Sequence, residues 1–250
     1  MLAAQLWFDE IANHTGCFED SMQTHSQKTA TVTVIVPTRN EEESLHLVLP
    51  RIPRDMIDEL LLVDGNSTDK TIEKAREMWP DVRIVNQKGR GKGDALRLGF
   101  AEAKGDIIIT LDADGSMEPE KIPEFLRLLH DGYDVVKGSR FCKGGGTSDM
   151  QWYRKVANWM MTKLANVLHG SKYTDITYGY NAFWKKTLDG ITLKTTDFET
   201  ELEFLIKMAR KRLKITELPC FEKKRAGGAS KLNSLKDGWN DFKVILFLPK

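Results

Sequence analysis

Between residues 31 and 138 the chain alternates five short apolar runs with helix-length stretches, and this alternation constrains the fold more than any other feature. The runs are TVTVIVP (31–37), ELLLVD (59–64), VRIVN (82–86), DIIITLD (106–112) and YDVVKG (133–138). They are rich in Val, Ile and Leu and have the length of buried strands. Between them lie a helix carrying Leu45, Val48 and Leu49, one opening at Ser67/Thr68 and running through Met78, one from Lys92 to Ala103, and one led by Pro119. Strands separated by helices predict an α/β fold: a doubly wound, mostly parallel sheet with flanking helices. Ligands of such sheets sit at the carboxyl ends of the strands. Pro37 to Glu41, Asp64 to Asp69, Gly89 to Asp94 and Asp112 to Ser116 all fall there.

The fourth run ends in Asp112-Ala113-Asp114-Gly115-Ser116. Side chains two apart on a strand share a face, so both carboxylates can aim at one point as the strand ends. Two carboxylates with no His or Cys nearby suit Mg²⁺ or Mn²⁺ rather than zinc, and substrate phosphates commonly complete the shell of such ions. A plain turn is the competing reading, because Asp-Gly is also turn chemistry. GRGKGDALRLG (89–99) follows a strand and opens a helix, yet Asp94 or Leu96 stands where a dinucleotide fingerprint needs its third glycine, and no GxxxxGK[ST] is present. What remains is a glycine-rich turn with Lys92, suited to an anionic ligand at a helix amino terminus. Asn40, Ser67 and Thr68 are good helix caps and also polar shelves for a base and ribose.

Composition narrows the class. With 41% hydrophobic and 29% charged residues, the 250-residue chain reads as globular, and its net charge of +1 gives no support for a nucleic-acid partner. Cys17, Cys142 and Cys220 are scattered, without metal or redox spacing, which is simplest in a reducing, cytoplasmic compartment. No apolar stretch approaches the roughly 20 residues that span a bilayer. Residues 1–30 read as an appendage and linker, 31–234 as the main domain, and 235–250 as an amphipathic tail. In that tail Leu235, Trp239, Phe242 and Ile245 or Leu246 recur at helical spacing, fitting either a membrane interface at the cytoplasmic face or packing on the protein's own sheet.

The order VIVPTRNE, VDGNSTDKT, GRGKGDALRLG, LDADGS, KGSRF, WYRK, DITYGYNAF, FETELEF and RAGGASK resembles the family 2 glycosyltransferases of GT-A fold, most of all the dolichyl-phosphate mannose synthase and polyprenyl-phosphate sugar synthase group. The likeness covers about residues 31 to 237. It implies an inverting, metal-dependent transfer of a sugar from a GDP- or UDP-linked donor to a polyprenyl phosphate. It implies that Pro37, Thr38, Asn40, Glu41 and Asp64 line the nucleotide, with Lys92 and Asp94 beside it. Asp112 and Asp114 would be the metal pair, with Ser116 a weak third ligand, and Arg140 and Arg154 would hold the acceptor phosphate. Arg225, Ser230 and Lys231 match a segment that closes over the diphosphate. Gly65 departs from the second aspartate of many relatives, which leaves the nucleobase open.

Three alternatives stay open on the residues themselves, one of them a non-catalytic nucleotide-binding module. A hydroxyl acceptor would require a general base, for which Asp197, Glu199, Glu201 and Glu203 are candidates. On a helix Glu199 and Glu203 share a face and Glu201 points away, and most of these acids are expected on a solvated surface. A sugar-1-phosphate nucleotidyltransferase is disfavoured because the glycine turn follows the third strand, not the first.

Overall fold

The computed structural model describes residues 30–227 and 234–248. The expected 1–30 appendage therefore lies outside the described residues except for Ala30, and the described residues from Thr31 onward form one compact unit.

All five expected strands are present: β1 (Val32–Thr38), β2 (Glu59–Asp64), β3 (Arg83–Asn86), β4 (Ile107–Thr110) and β5 (Val135–Ser139). Two further strands, β7 (Asn181–Trp184) and β8 (Ile215–Pro219), complete a seven-stranded sheet of order β3-β2-β1-β4-β7-β5-β8. The pairs are parallel except where β7 runs antiparallel to both neighbours, with Ile108 opposite Phe183 and Val136 opposite Ala182. β6 (Gly146–Thr147) and β9 (Phe221–Glu222) make a small second sheet. Thus β4 does not neighbour β5 directly. A four-residue strand shows too little periodicity to be seen in sequence, but Ala182 and Phe183 are wholly buried and fill the gap.

The helices are α1 (Leu45–Val48), α2 (Thr71–Met78), α3 (Lys92–Glu102), α4 (Ile122–His130), α5 (Trp152–His169), α6 (Glu199–Arg210) and α7 (Ser234–Phe247). α2 starts later than its Ser67/Thr68 signal because Asp69 accepts the Thr71 amide and hydroxyl and moves the cap along the chain. Both sheet faces are covered: Ile35, Leu61 and Val63 point to one side, Val34, Leu60 and Leu62 to the other, and all are buried. On the first side Phe100 of α3, Phe183 of β7 and Phe204 of α6 form an aromatic cluster with ring centroids 4.7–5.7 Å apart. Each such ring contributes about 1.5–3 kcal/mol by burial. The cluster fixes α3 and α6 against the sheet, and so fixes the residues that begin both helices.

α7 packs on α5 and α6, and its inward residue Ile245 is fully buried. Packing on the protein itself thus accounts for part of the expected tail stripe, whereas Trp239, Leu246 and Phe247 are exposed. No helix of the described residues is long and apolar enough to cross a membrane. Cys142 and Cys220 are free thiols, and Cys17 lies outside the described residues.

Candidate active site

The carboxyl ends of β1, β2, β3 and β4 open into one pocket of about 1380 Å³. That exceeds the usual span for a single small ligand and leaves room for a donor and an acceptor together. Pro37, Thr38, Glu41, Lys92, Asp112, Asp114, Ser116, Arg140, Arg154 and Arg225 all line it. The other sequence-derived candidates stand behind that lining. Asn40, at φ 53°, accepts the Thr68 amide at 2.8 Å, so it ties the loop after β1 to the loop after β2. Asp64 is buried and accepts the Ser67 amide and hydroxyl. Asp94 accepts the Gly89 amide at 3.1 Å and pairs with Arg97, which shapes the glycine turn. Ser230 and Lys231 lie outside the described residues.

Each carboxylate of the strand-end pair meets a protein cation. Lys92 Nζ lies 2.6 Å from Asp112 Oδ1 and 3.0 Å from Glu201 Oε1. Burial opposes charge on Lys92, but Asp112 and Glu201 together hold its ammonium above the ordinary lysine range. Burial likewise pushes the Asp112 carboxyl up to about 6, with Glu201 and Asp114 adding to it and Lys92 pulling the other way. Asp114 Oδ1 accepts the Ser116 amide at 2.9 Å, and its Oδ2 faces Arg225 Nη1 at 3.1 Å. Arg225 also pairs with Glu41 and donates to the Gly227 carbonyl. The Lys223 amide bonds Ser116 O and the Ala226 amide bonds Asp114 O, so residues 223–226 strap the end of the acidic turn.

Lys92 is placed by the glycines around it. Gly91 has φ +90°, and a Cβ there would strike the Thr196 carbonyl, while a Cβ on Gly93 would strike the Thr200 hydroxyl and approach Asp197 O at 2.6 Å. The first turns of α3 and α6 therefore meet backbone to backbone. This contact delivers Lys92 to Glu201.

The two arginines expected at the acceptor differ sharply. Arg140 is 5% exposed; its Nε and Nη2 bind Asp175 at 2.7 and 3.0 Å, Nη1 binds Glu222 at 2.9 Å, and Nη2 also reaches Thr177. Burial would raise the Asp175 carboxyl, but Arg140 and Lys137 hold it down at about 2. Arg154, in the first turn of α5, has no hydrogen-bond or ion-pair partner among the described residues. Its guanidinium is free to take an anion as a fork.

Several pocket residues gave no sequence signal. Gln87, Asp237 and Asp241 line the pocket, as Glu201 does. Contrary to the expected solvated face, Glu201 is 8% exposed and Glu203 is fully buried, accepting the Lys194 and Thr195 amides. Burial, with Glu199, Asp237 and Glu201, pushes the Asp241 carboxyl up to about 7. Thr38 Oγ1 and the Tyr178 hydroxyl are buried on the pocket without a hydrogen-bond partner among the described residues, which marks them as polar atoms for a ligand or water to satisfy.

Among the described residues no three His, Cys, Asp or Glu side chains gather as a metal cage. The oxygen set of Asp112, Asp114 and Ser116 fits a hard divalent cation only if a phosphate ligand supplies further oxygens.

Comparison with known proteins gives the family and the fold. The Glycosyl transferase family 2 profile matches residues 33–191. The dolichol-phosphate mannosyltransferase of Pyrococcus furiosus is 35% identical over 80% of this chain, which spans 59% of that relative's length. The undecaprenyl-phosphate mannosyltransferase of Micrococcus luteus is also 35% identical, over 81% of this chain and 87% of its own. Among solved structures, glucosyl-3-phosphoglycerate synthase from Mycobacterium tuberculosis, in complex with Mn²⁺, uridine diphosphate and glucosyl-3-phosphoglycerate, superposes with a TM-score of 0.69 at 21% identity. That superposition covers 89% of this chain and 81% of the synthase and places the fold in the GT-A class. On the family match and these relatives, the chain belongs to glycosyl transferase family 2 and is a glycosyltransferase.

Proposed function

We propose that this protein transfers a hexose from a GDP- or UDP-linked donor to a polyprenyl phosphate, with inversion at the sugar C1. The observation that carries the reading is one pocket lined by the Asp112/Asp114 pair and by Arg154, whose guanidinium has no partner among the described residues. The names of the Pyrococcus and Micrococcus relatives support the acceptor class.

Asp112 and Asp114, with Ser116, would hold Mg²⁺ or Mn²⁺ together with donor diphosphate oxygens; the ion's chemistry there is to neutralise charge on the leaving group. Pro37, Thr38 and Glu41 would receive the nucleotide, with Asn40, Asp64 and Asp94 stiffening the loops that carry them. Arg154 would orient the acceptor phosphate, and Arg140 would fix the pocket wall beside it. An acceptor phosphate oxygen forms the bond to C1 as the bond from C1 to the diphosphate oxygen breaks, and the electron pair leaves with the diphosphate. That oxygen is already anionic, so this step requires no general base. Lys92 and Arg225 would oppose the charge that builds on the leaving group, with Ser230 and Lys231 on the same segment as Arg225.

Asp241 favours a second reading. A pocket carboxyl titrating near 7 is what a hydroxyl acceptor would use as a base. A panel of sugar nucleotides with Mn²⁺, run with polyprenyl phosphate, with soluble sugar alcohols, or with neither, separates the readings. Nucleoside diphosphate released only with the lipid phosphate supports the proposal. Release with the alcohols supports the second reading, and pyrophosphate would overturn both.

A further inference from the structure

We infer that the Tyr178 hydroxyl is a specificity-determining contact for one hydroxyl of the transferred sugar. The inference deepens the transfer reading and rests on it for the sugar that the pocket holds, though not for the identity of the acceptor.

Three tyrosines of one segment are buried, and their hydroxyls fare differently. Tyr173 donates to the Leu205 carbonyl at 2.9 Å, and Tyr180 donates to the Glu118 carbonyl at 3.1 Å. Tyr178 is 2% exposed and lines the pocket, yet its hydroxyl has no hydrogen-bond partner among the described residues. A buried hydroxyl without a partner lowers stability, so folding alone gives no reason for the oxygen. The ring that carries it is held firmly. A Cβ on Gly138 would come within 3.2 Å of Tyr178 Cε1, so the ring lies against bare backbone of β5. The Arg140 guanidinium carbon is 4.8 Å from the ring centroid, and Lys137 Nζ donates to the Tyr178 carbonyl at 3.2 Å. A hydroxyl on a ring fixed in this way is set in place before a ligand arrives.

Topology says which part of the ligand it meets. β7 lies between β4 and β5 and runs antiparallel to both, so its amino end falls at the carboxyl ends of its neighbours. Tyr178 precedes β7 by three residues. On one side of it the Thr110 hydroxyl of β4 donates to the Gly179 carbonyl at 2.7 Å; on the other the Gly138 amide of β5 donates to the Tyr180 carbonyl at 2.7 Å. The tyrosine is thereby suspended between the strand that leads to Asp112 and the strand that leads to Arg140. In the proposed transfer the diphosphate leaves on the Asp112 side and the acceptor enters on the Arg140 side. The sugar whose C1 changes partners lies between them.

The chemistry of the phenol fits that occupant. Burial holds its proton on well above the ordinary tyrosine range, which leaves a neutral group able both to donate and to accept. A sugar hydroxyl has the same double capacity. A phosphate is better answered by the fork of Arg154, since Arg140 already gives Nε, Nη1 and Nη2 hydrogens to Asp175, Glu222 and Thr177.

The test is acceptor-free calorimetric titration of the full chain in Mn²⁺, with UDP, GDP, UDP-glucose, GDP-mannose and the monodeoxy analogues of both sugar nucleotides. The wild type should hold one monodeoxy analogue at least about tenfold more weakly than its parent. Tyr178→Phe, which removes one oxygen and keeps the ring, should bind that parent at least about tenfold more weakly, show no further loss with the analogue, and bind UDP and GDP as the wild type does. This coupling between the two deletions is a readout that a merely structural role would not move. Because the deleted hydroxyl has no partner to lose, Tyr178→Phe should unfold in urea no earlier than the wild type. Tyr173→Phe, which gives up its bond to Leu205, should unfold earlier with its discrimination among the analogues intact. Unchanged binding of both sugar nucleotides by Tyr178→Phe, equal losses with UDP and GDP, or discrimination that survives in the variant would each overturn the inference. So would a wild type that treats every analogue like its parent. No acceptor is present, so failure of the polyprenyl-phosphate reading would leave the result standing, whereas a wild type that binds none of the nucleotides overturns the transfer reading and this contact with it.

Discussion

Lys92 Nζ stands 2.6 Å from Asp112 Oδ1, so the first carboxylate of the strand-end pair is answered by a protein cation. The lysine side chain is only 16% exposed and also neutralises Glu201. Removing one partner of a mostly buried cluster leaves uncompensated charge. Lys92→Met should therefore lower stability by about 2 kcal/mol in metal-free buffer. Added Mn²⁺ should recover part of the loss, because a bound ion would again neutralise Asp112. Melting curves with EDTA and with Mn²⁺ check this, and a variant no more responsive to Mn²⁺ than the wild type would contradict it.

Asp114 is coupled to the strap through Arg225. Asp114→Asn keeps the shape and the Ser116 contact but removes the charge. Nucleotide affinity in Mn²⁺ should fall at least about tenfold, with little change in EDTA, as expected for a carboxylate acting through a cation. Calorimetric titration of UDP and GDP under both conditions measures it. Equal losses with and without metal would place Asp114 in direct nucleotide recognition or in folding.

Four of the five strands of the first half were legible because the apolar runs of β1, β2, β4 and β5 are almost wholly buried, whereas the edge strand β3 is only partly buried and showed itself by its place between two helix-length stretches. The acidic pair was legible for a related reason, since its spacing and its place at a strand end are local facts. Glu201 was not. Helical periodicity separates Glu201 from Glu199 and Glu203, but it cannot say that a lysine 109 positions earlier in the chain will face it. Glu203 was missed for the same reason, because its partners are amides of the loop at Lys194 and Thr195. The different surroundings of Arg140 and Arg154 had no sequence signal either, as they depend on Asp175 and Glu222 arriving from distant segments.

That contrast yields a further expectation. Arg154 has no protein partner among the described residues, so Arg154→Ala should change stability by no more than about 0.5 kcal/mol. Transfer to a polyprenyl phosphate should nevertheless fall while donor affinity stays near the wild-type value. Arg140→Ala leaves the wholly buried Asp175 without its fork and should cost about 3–5 kcal/mol. Urea denaturation beside acceptor and donor titrations separates the two residues. A destabilised Arg154→Ala would argue against its free state.

Asp175 also sets an acid dependence. Its carboxyl titrates at about 2 in the folded protein against 3.8 for the free side chain. A lowered folded value means stabilisation that is complete above about pH 4 and is lost as the pH falls toward 2; the difference corresponds to about 2 kcal/mol. Asp175→Asn should be less stable at neutral pH and should lose that part of the acid slope. Urea midpoints between pH 5 and pH 2, where enough folded protein survives to measure them, would show it. Parallel slopes in both proteins would exclude Asp175 as the titrating group.

Gly93 joins the glycine turn to the acidic helix, and its replacement tests whether that contact positions the site. A methyl group at this position has no room between the Thr200 hydroxyl and the Asp197 carbonyl, so α3 and α6 must separate at their first turns. Overpacking of this kind costs about 1–3 kcal/mol. The movement should also lengthen the 3.0 Å contact between Lys92 and Glu201. Gly93→Ala should then melt earlier than the wild type and bind nucleotide more weakly. Gly132→Ala, where no atom lies within 4 Å of the added carbon but φ is +96°, should cost stability through backbone strain alone and leave nucleotide affinity unchanged. Melting curves and nucleotide titrations on both variants decide between a positioning contact and simple loss of stability: equal affinity in the two variants would mean that the close approach at Gly93 serves packing and nothing more.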